Sequence, residues 1–160
     1  MTIRIFTFLL MICLISCKNE EVPVNKFIGI WHDTQYIVPG SSSIKINKDS
    51  TFVYISAACT WQGFSRGKWK MTGDSIELNS SKIDSCYSIF PFLNCNYFNE
   101  RKRPQMTIAN CEVDNDQSFV LILKEKFYIK NDSLVLKIKS SSKCPATLKI
   151  VFARTQKVRK

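Results

Sequence analysis

The chain has 160 residues, 45% of them hydrophobic, and carries 23 Lys and Arg against 13 Asp and Glu for a formal charge of +10. That length fits one domain large enough to bury most of its apolar surface and leaves no room for a second of ordinary size. No glycine-rich phosphate loop and no Cys-x-x-Cys pair occurs, which excludes nucleotide binding through such a loop and paired-cysteine zinc sites.

The N-terminus opens with one cation, Arg4, and an uncharged apolar run from Ile5 to Ile15. Eleven residues at ~1.5 Å each make a helix of roughly 16 Å, about half of a ~30 Å hydrocarbon core. The run therefore reads as a signal peptide over residues 1–16, to be removed, and not as a membrane span. Leu14-Ile15-Ser16-Cys17 resembles the lipobox of bacterial lipoproteins, in which a branched apolar residue and two small or tolerated ones precede the cysteine that is lipidated. The resemblance implies lipidation of Cys17 and cleavage just before it, with the acyl chains holding the mature protein on a membrane. Lys18, Asn19, Glu20 and Glu21 resemble the short acidic tract behind the lipidated cysteine of Bacteroidota surface lipoproteins; solvated linker charge is the competing explanation. The expected organisation is a leader (1–16), a lipidated tether (17–25) and a single domain (26–160). Its expected location is a bacterial cell envelope, as an outer-membrane lipoprotein facing the periplasm or the cell surface.

Beyond the tether, strand patterns succeed one another. Phe27, Gly29, Trp31 and Asp33 alternate with Ile28, Ile30 and His32; Phe52 and Tyr54 alternate with Val53 and Ile55; Leu134, Leu136 and Ile138 alternate with Val135, Lys137 and Lys139; and Leu148, Ile150 and Phe152 alternate with Lys149, Val151 and Ala153. This period of two marks half-buried strands, and no stretch after Cys17 shows apolar residues at helical spacing over a full helix. Asp-Ser recurs before strand starts in Asn47-Lys48-Asp49-Ser50-Thr51, Thr72-Gly73-Asp74-Ser75-Ile76 and Lys130-Asn131-Asp132-Ser133-Leu134. Short Asp and Asn side chains bond the nearby backbone, and Gly or Asn tolerates positive φ, so these sites predict three tight hairpins. An antiparallel meander of this length hides its edges by closing, which predicts an all-β, up-and-down barrel of about eight to ten strands.

Gly29-Ile30-Trp31, Asp49-Ser50-Thr51-Phe52, Gly67-Lys68-Trp69, Gly73-Asp74-Ser75-Ile76-Glu77-Leu78 and Asn131-Asp132-Ser133-Leu134 resemble the small lipocalin-like domains of Bacteroidota lipoproteins. The resemblance implies a lipocalin-like barrel and is nearly silent on ligand. Between Ser80 and Pro104 the chain departs from that pattern with an aromatic, cysteine-containing insert. Tyr87, Phe90, Phe92, Tyr97 and Phe98 in this insert either form an exposed patch for a partner or plug one end of the barrel.

Five cysteines follow the anchor, Cys59, Cys86, Cys95, Cys111 and Cys144, and an exported protein permits disulfides among them. Fifteen arrangements of two bonds and one free thiol exist. Cys86 with Cys95 is the preferred pair, since it closes the loop holding Tyr87, Phe90, Pro91 and Phe92; five reduced thiols are the alternative. Residues 101–160 carry fourteen Lys and Arg against five Asp and Glu, whereas residues 18–100 carry eight of each sign. Many of these lysines alternate with apolar residues as a solvated sheet face. Arg101, Lys102 and Arg103 stand in an expected loop and are the candidates for an anionic partner, which in the envelope means lipid phosphate, lipopolysaccharide or glycan and not nucleic acid.

No catalytic constellation emerges. His32, the single histidine, neighbours Asp33 on a strand, where adjacent side chains point to opposite faces. Glu112, Asp114 and Asp116 have calcium-loop spacing, but Gln117 replaces the turn glycine and Leu123 the closing glutamate. The expectation is a non-enzyme without metal or cofactor. Two functions remain: an interaction or inhibitor module that presents loops to another envelope protein, or a lipocalin-like binder of a small apolar or amphipathic ligand. Bulky Trp31, Phe52, Trp69 and Leu136 on inward faces favour the former. Oligomeric state is not legible.

Overall fold

In the computed structural model, residues 23, 26–34, 40–57, 60–81, 86–90, 117–140, 144 and 147–156 are described. Ten strands carry the alternation in these residues: β1 (Gly29–Asp33), β2 (Ser41–Ile46), β3 (Thr51–Ala57), β4 (Gln62–Thr72), β5 (Ser75–Ser80), β6 (Tyr87–Ile89), β7 (Gln117–Leu121), β8 (Leu123–Lys130), β9 (Ser133–Lys137) and β10 (Val151–Ala153). Eight of them, β1-β2-β3-β4-β5-β8-β9-β10, pair antiparallel in that order, and β10 returns to β1 through His32 opposite Ala153. The result is a closed, all-β, lipocalin-like barrel without a free edge between its first and last strands. The signal helix and, but for Pro23, the lipidated tether read from the sequence lie outside the described residues.

All three expected hairpins are present, joining β2 to β3, β4 to β5 and β8 to β9. Asn131 and Asp132 adopt φ of 48° and 54°, and Gly73 adopts 62°. In the first hairpin the left-handed residue is Ser50, at 64°, and not the asparagine. There Asp49 accepts from both the backbone N–H (3.1 Å) and the hydroxyl (2.6 Å) of Thr51, which holds its carboxyl below the ordinary pKa.

An antiparallel meander throughout does not hold: β7 pairs parallel with β4 over Gln62–Phe64, and β6 pairs parallel with β7. The cause is the length of β5. It ends at Ser80, leaving the first half of β4 without a neighbour on that side, and the strand leading into β8 occupies the vacated edge. Since β8 opposes β5 and β5 opposes β4, that strand must run parallel to β4. Ser80 organises the fork. Its N–H donates to the Ile122 carbonyl, its Oγ accepts from the Ile122 N–H (each 2.8 Å), and Ser65 Oγ lies 2.7 Å from Ser80 Oγ. Lys124, at φ 53°, is the extra residue of a bulge opposite Leu78 and Asn79, and its N–H is taken up by Asn79 Oδ1 at 3.0 Å.

The register puts the core inside. Trp31 faces Ile44, Ile44 faces Tyr54, Ile46 faces Phe52, Trp69 faces Leu78, Ile76 faces Phe127 and Phe127 faces Leu136. All are buried, Trp31, Phe52, Trp69 and Leu136 as expected from the sequence. Gly67 lets β5 approach, because a Cβ there would lie 2.0 Å from the Asn79 carbonyl oxygen.

The two ends of the barrel differ. The hairpin end is sealed by aromatic side chains: Trp31 Nε1 donates to the Phe27 carbonyl (2.8 Å), and Trp69 Nε1 donates to that of Asn47 (3.0 Å). The Arg154 guanidinium lies 3.7 Å over the Trp31 ring and donates to the carbonyls of Ile28 (2.6 Å) and Lys26 (2.7 Å), clipping the exit of β10 to the entry of β1. At the opposite end the inward positions are small and polar: Asp33, Ser42, Ser56, Gly63 and Ser118. From this end leave the connections between β1 and β2 (34–40), β3 and β4 (58–61), and β9 and β10 (138–150).

Candidate functional site

A barrel can act through its interior or through its wall. The interior here is occupied by side chains. Trp31, Tyr54, Phe27, Phe52, Phe90, Phe127 and Phe152 are almost entirely inaccessible and are joined by Ile44, Ile46, Ile76, Leu78 and Ile122. Edge-to-face contacts run through the middle of this core, Tyr54 to Phe90 (5.2 Å), Phe90 to Phe127 (6.4 Å) and Phe127 to Phe152 (6.1 Å). Phe90 comes from the insert. Directly after β6, its backbone N–H donates to the Leu121 carbonyl (3.2 Å) and its ring enters the barrel.

Two carboxylates share the inward faces. Asp33, in phase with Trp31 on β1, accepts from Ser42 Oγ at 2.6 Å. Glu125, in phase with Phe127 on β8, is 1% exposed; Lys139 contacts its Oε1, while Oε2 has no hydrogen-bond partner. Burial raises the Glu125 pKa, and the hydrogen bond and charge of Lys139 offset this only in part. Glu77, outward on β5, behaves oppositely: its hydrogen bond from Asn79, then its pairing with Lys70 and the charge of Lys126, hold its pKa below the ordinary value.

The wall carries an apolar row. By register His32 on β1 stands beside Ser43, Ser43 beside Ile55, Ile55 beside Phe64, Phe64 beside Phe119 and Phe119 beside Tyr87. Ile55 is 53% exposed and Phe64 38%, while Phe119, in edge-to-face contact with Phe64 at 5.6 Å, is buried. Four strands thus present Ile55, Phe64, Phe119 and Tyr87 side by side on the outer face.

Of the residues singled out by sequence, Phe90 is core, so the insert supplies a plug at this position and not an exposed contact. Tyr87 is half-buried on β6, at the end of the apolar row. Phe92, Tyr97, Phe98, Arg101, Lys102, Arg103 and Cys17 lie outside the described residues, as do Cys59, Cys95 and Cys111 and the acidic triplet Glu112, Asp114 and Asp116. Cys86 and Cys144 are each disulfide-bonded. His32 and Asp33 point to opposite faces and do not form a pair. Val135, expected on a solvated face with Lys137, is instead buried beside Tyr128 and Val151. Sequence reasoning missed Ile55 and Phe64 as a surface pair, although each stands at an outward position of its strand and is too large and apolar for one. Glu125 was also missed, although it is in phase with Phe127 and Ile129.

No family model, curated protein or solved structure matches the chain. Among the described residues, no helix is long and apolar enough to cross a membrane, and no group of three metal-ligating side chains comes together.

Proposed function

We propose that the chain is an exported, membrane-tethered module of a bacterial cell envelope that engages a protein partner through the outer face of β3, β4, β7 and β6. The observation that carries this reading is the contrast between an interior packed with aromatic side chains and an outer wall that leaves Ile55 and Phe64 in water. A barrel built to hold a small apolar ligand reserves its centre for it. Here that volume belongs to Tyr54, Phe90, Phe127 and Phe152, and the apolar surface left over faces outward, flanked by the polar Ser43 and the charged Arg66. An exposed aliphatic–aromatic pair with a charged rim is the usual make-up of the centre of a protein interface. Placement in the envelope rests on the leader and Cys17, and the disulfides at Cys86 and Cys144 support an oxidising compartment.

The test is photo-crosslinking in cells that produce the full chain, with a benzophenone amino acid at position 64 or, as control, at position 149. One discrete adduct from position 64 and none from position 149 is expected, and Ile55→Asp should abolish it. Equal labelling from both positions, or adducts insensitive to Ile55→Asp, would refute the assignment.

A further inference from the structure

Beside the apolar row, towards the hairpin end, the wall changes character. The outward positions of β4 beyond Phe64 are Arg66, Lys68 and Lys70, all exposed. Register continues the row at Lys70 across the sheet: Lys70 faces Glu77, Glu77 faces Lys126, and Lys126 faces Lys137. One carboxylate therefore serves two ammonium groups, Lys70 at 3.4 Å and Lys126 at 3.9 Å. Lys137 and Lys68 have no ion pair among the described residues; Lys68 faces Asn79. Lys126 and Lys137 are a directly opposed pair of like charges, an arrangement that costs folding stability. The adjoining hairpins add Asp74 and Asp132 at the margin, and Lys130 stands beside the latter. Across β4, β5, β8 and β9 the wall holds Arg66, Lys68, Lys70, Lys126 and Lys137 around the buried carboxylate of Glu77, and Lys149 continues it beside Lys137.

We infer that this basic wall is a docking face for an anionic lipid leaflet. Charge complementarity is the argument, and the form of the surface selects the partner. The cations are spread over the outer face of four neighbouring strands, about 5 Å apart across strands and ~7 Å along them, and are not gathered into a groove. Four of the five are lysines, compact point charges suited to a layer of mobile headgroup phosphates and not to bidentate recognition of a fixed group. Tyr128, half-buried on β8 in the same wall, offers an apolar body with a polar tip, the kind of side chain that settles at headgroup level. A self-repelling pair such as Lys126 and Lys137 is relieved when an anionic layer covers it.

The inference rests on the membrane-proximal part of the proposed function and not on the protein partner. Nine residues of tether at ~3.5 Å each keep a domain anchored at Cys17 within roughly 30 Å of the leaflet. Its test uses no lipid anchor, so it can fail without touching the crosslinking result. The barrel strands, the buried Phe27 and the Arg154 clip onto Lys26 all lie within residues 26–154, and a chain beginning at Lys18 retains all of them.

That chain is mixed with vesicles of phosphatidylcholine alone or with a quarter phosphatidylglycerol, and binding is read by flotation at several salt concentrations. Binding to the anionic vesicles only, weakening as salt rises, is expected. Lys68→Gln/Lys126→Gln/Lys137→Gln should weaken it on the order of a hundredfold, since each basic residue at such a surface contributes about fivefold. The same triple variant should unfold at an unchanged or higher temperature, because it removes the opposed lysines. Lys26→Gln/Lys45→Gln/Lys48→Gln, an equal change in charge away from these strands, should stay within about threefold of the parent. Equal loss in the two triple variants, or equal binding to neutral and anionic vesicles, overturns the inference. So does tighter binding to an oligonucleotide of matched phosphate content.

Discussion

Replacing Phe90 with alanine probes the plugged interior most deeply. The ring is inaccessible to solvent and lies between Tyr54, at 5.2 Å, and Phe127, at 6.4 Å. Truncation of a fully buried phenylalanine costs about 3–5 kcal/mol, and because the ring stands edge-to-face with two others, Phe90→Ala falls towards the upper half, about 4 kcal/mol. At roughly 3–5 °C per kcal/mol for a domain of this size, the melting temperature falls by about 12–20 °C. Urea unfolding followed by tryptophan fluorescence, with the disulfides left intact, gives the first readout. A second readout separates a cavity from general loosening: the variant should take up benzene or xenon in a dry apolar hole, whereas the parent should not. A loss below about 1 kcal/mol without probe uptake would mean that Phe90 is outside the core, and the argument for a filled barrel would fail with it.

Other side chains give independent checks. Because burial raises the Glu125 pKa, the folded state binds that proton more tightly than the unfolded chain; the linked stability is fully present below the unfolded pKa and lost as pH rises through the folded one. Urea midpoints should therefore decline as pH climbs above the ordinary carboxyl range of about 4.3, and Glu125→Gln should flatten that decline. Lys139→Met strands the carboxylate and should cost about 1–3 kcal/mol at neutral pH, less than a fully buried pair because the Lys139 side chain is 47% exposed. That cost should shrink in acid, and a pH-independent cost would contradict the pairing. Arg154→Met loses the stacking on Trp31 and two carbonyl hydrogen bonds, an expected decrease of about 1–3 kcal/mol by chemical denaturation. Gly67→Ala should be worse than Gly73→Ala in the same assay: the former drives a methyl into the Asn79 backbone, whereas the latter meets nothing within 4 Å and costs about 1 kcal/mol for its φ of 62°. Comparable losses at the two glycines would argue against the β4–β5 approach.

The fold was largely readable because its determinants are local. Alternation around Trp31, Phe52 and Leu136 set which side chains face inward, and the repeated Asp-Ser marked all three hairpins. What escaped depends on neighbours distant in sequence. The parallel pairing of β7 follows from β5 stopping at Ser80, a length that no residue announces. The clip by Arg154 joins positions 126 and 128 residues apart. The apolar row was hidden for the same reason. Ile55 and Phe64 are each ordinary outward residues, and only the register of β3, β4, β7 and β6 sets them beside Phe119 and Tyr87. In the insert, burial of Phe90 was one of two readings open from sequence, and its packing partners were not legible because Tyr54 and Phe127 come from two remote strands.

Native mass spectrometry of the chain, purified from the cells that produce it under conditions that retain bound small molecules, meets the central claim directly. A filled barrel predicts the mass of the covalent chain and nothing more, except for any protein that travels with it. A stoichiometric small-molecule adduct that survives Phe64→Lys but disappears on unfolding would place a ligand inside the barrel and contradict the account.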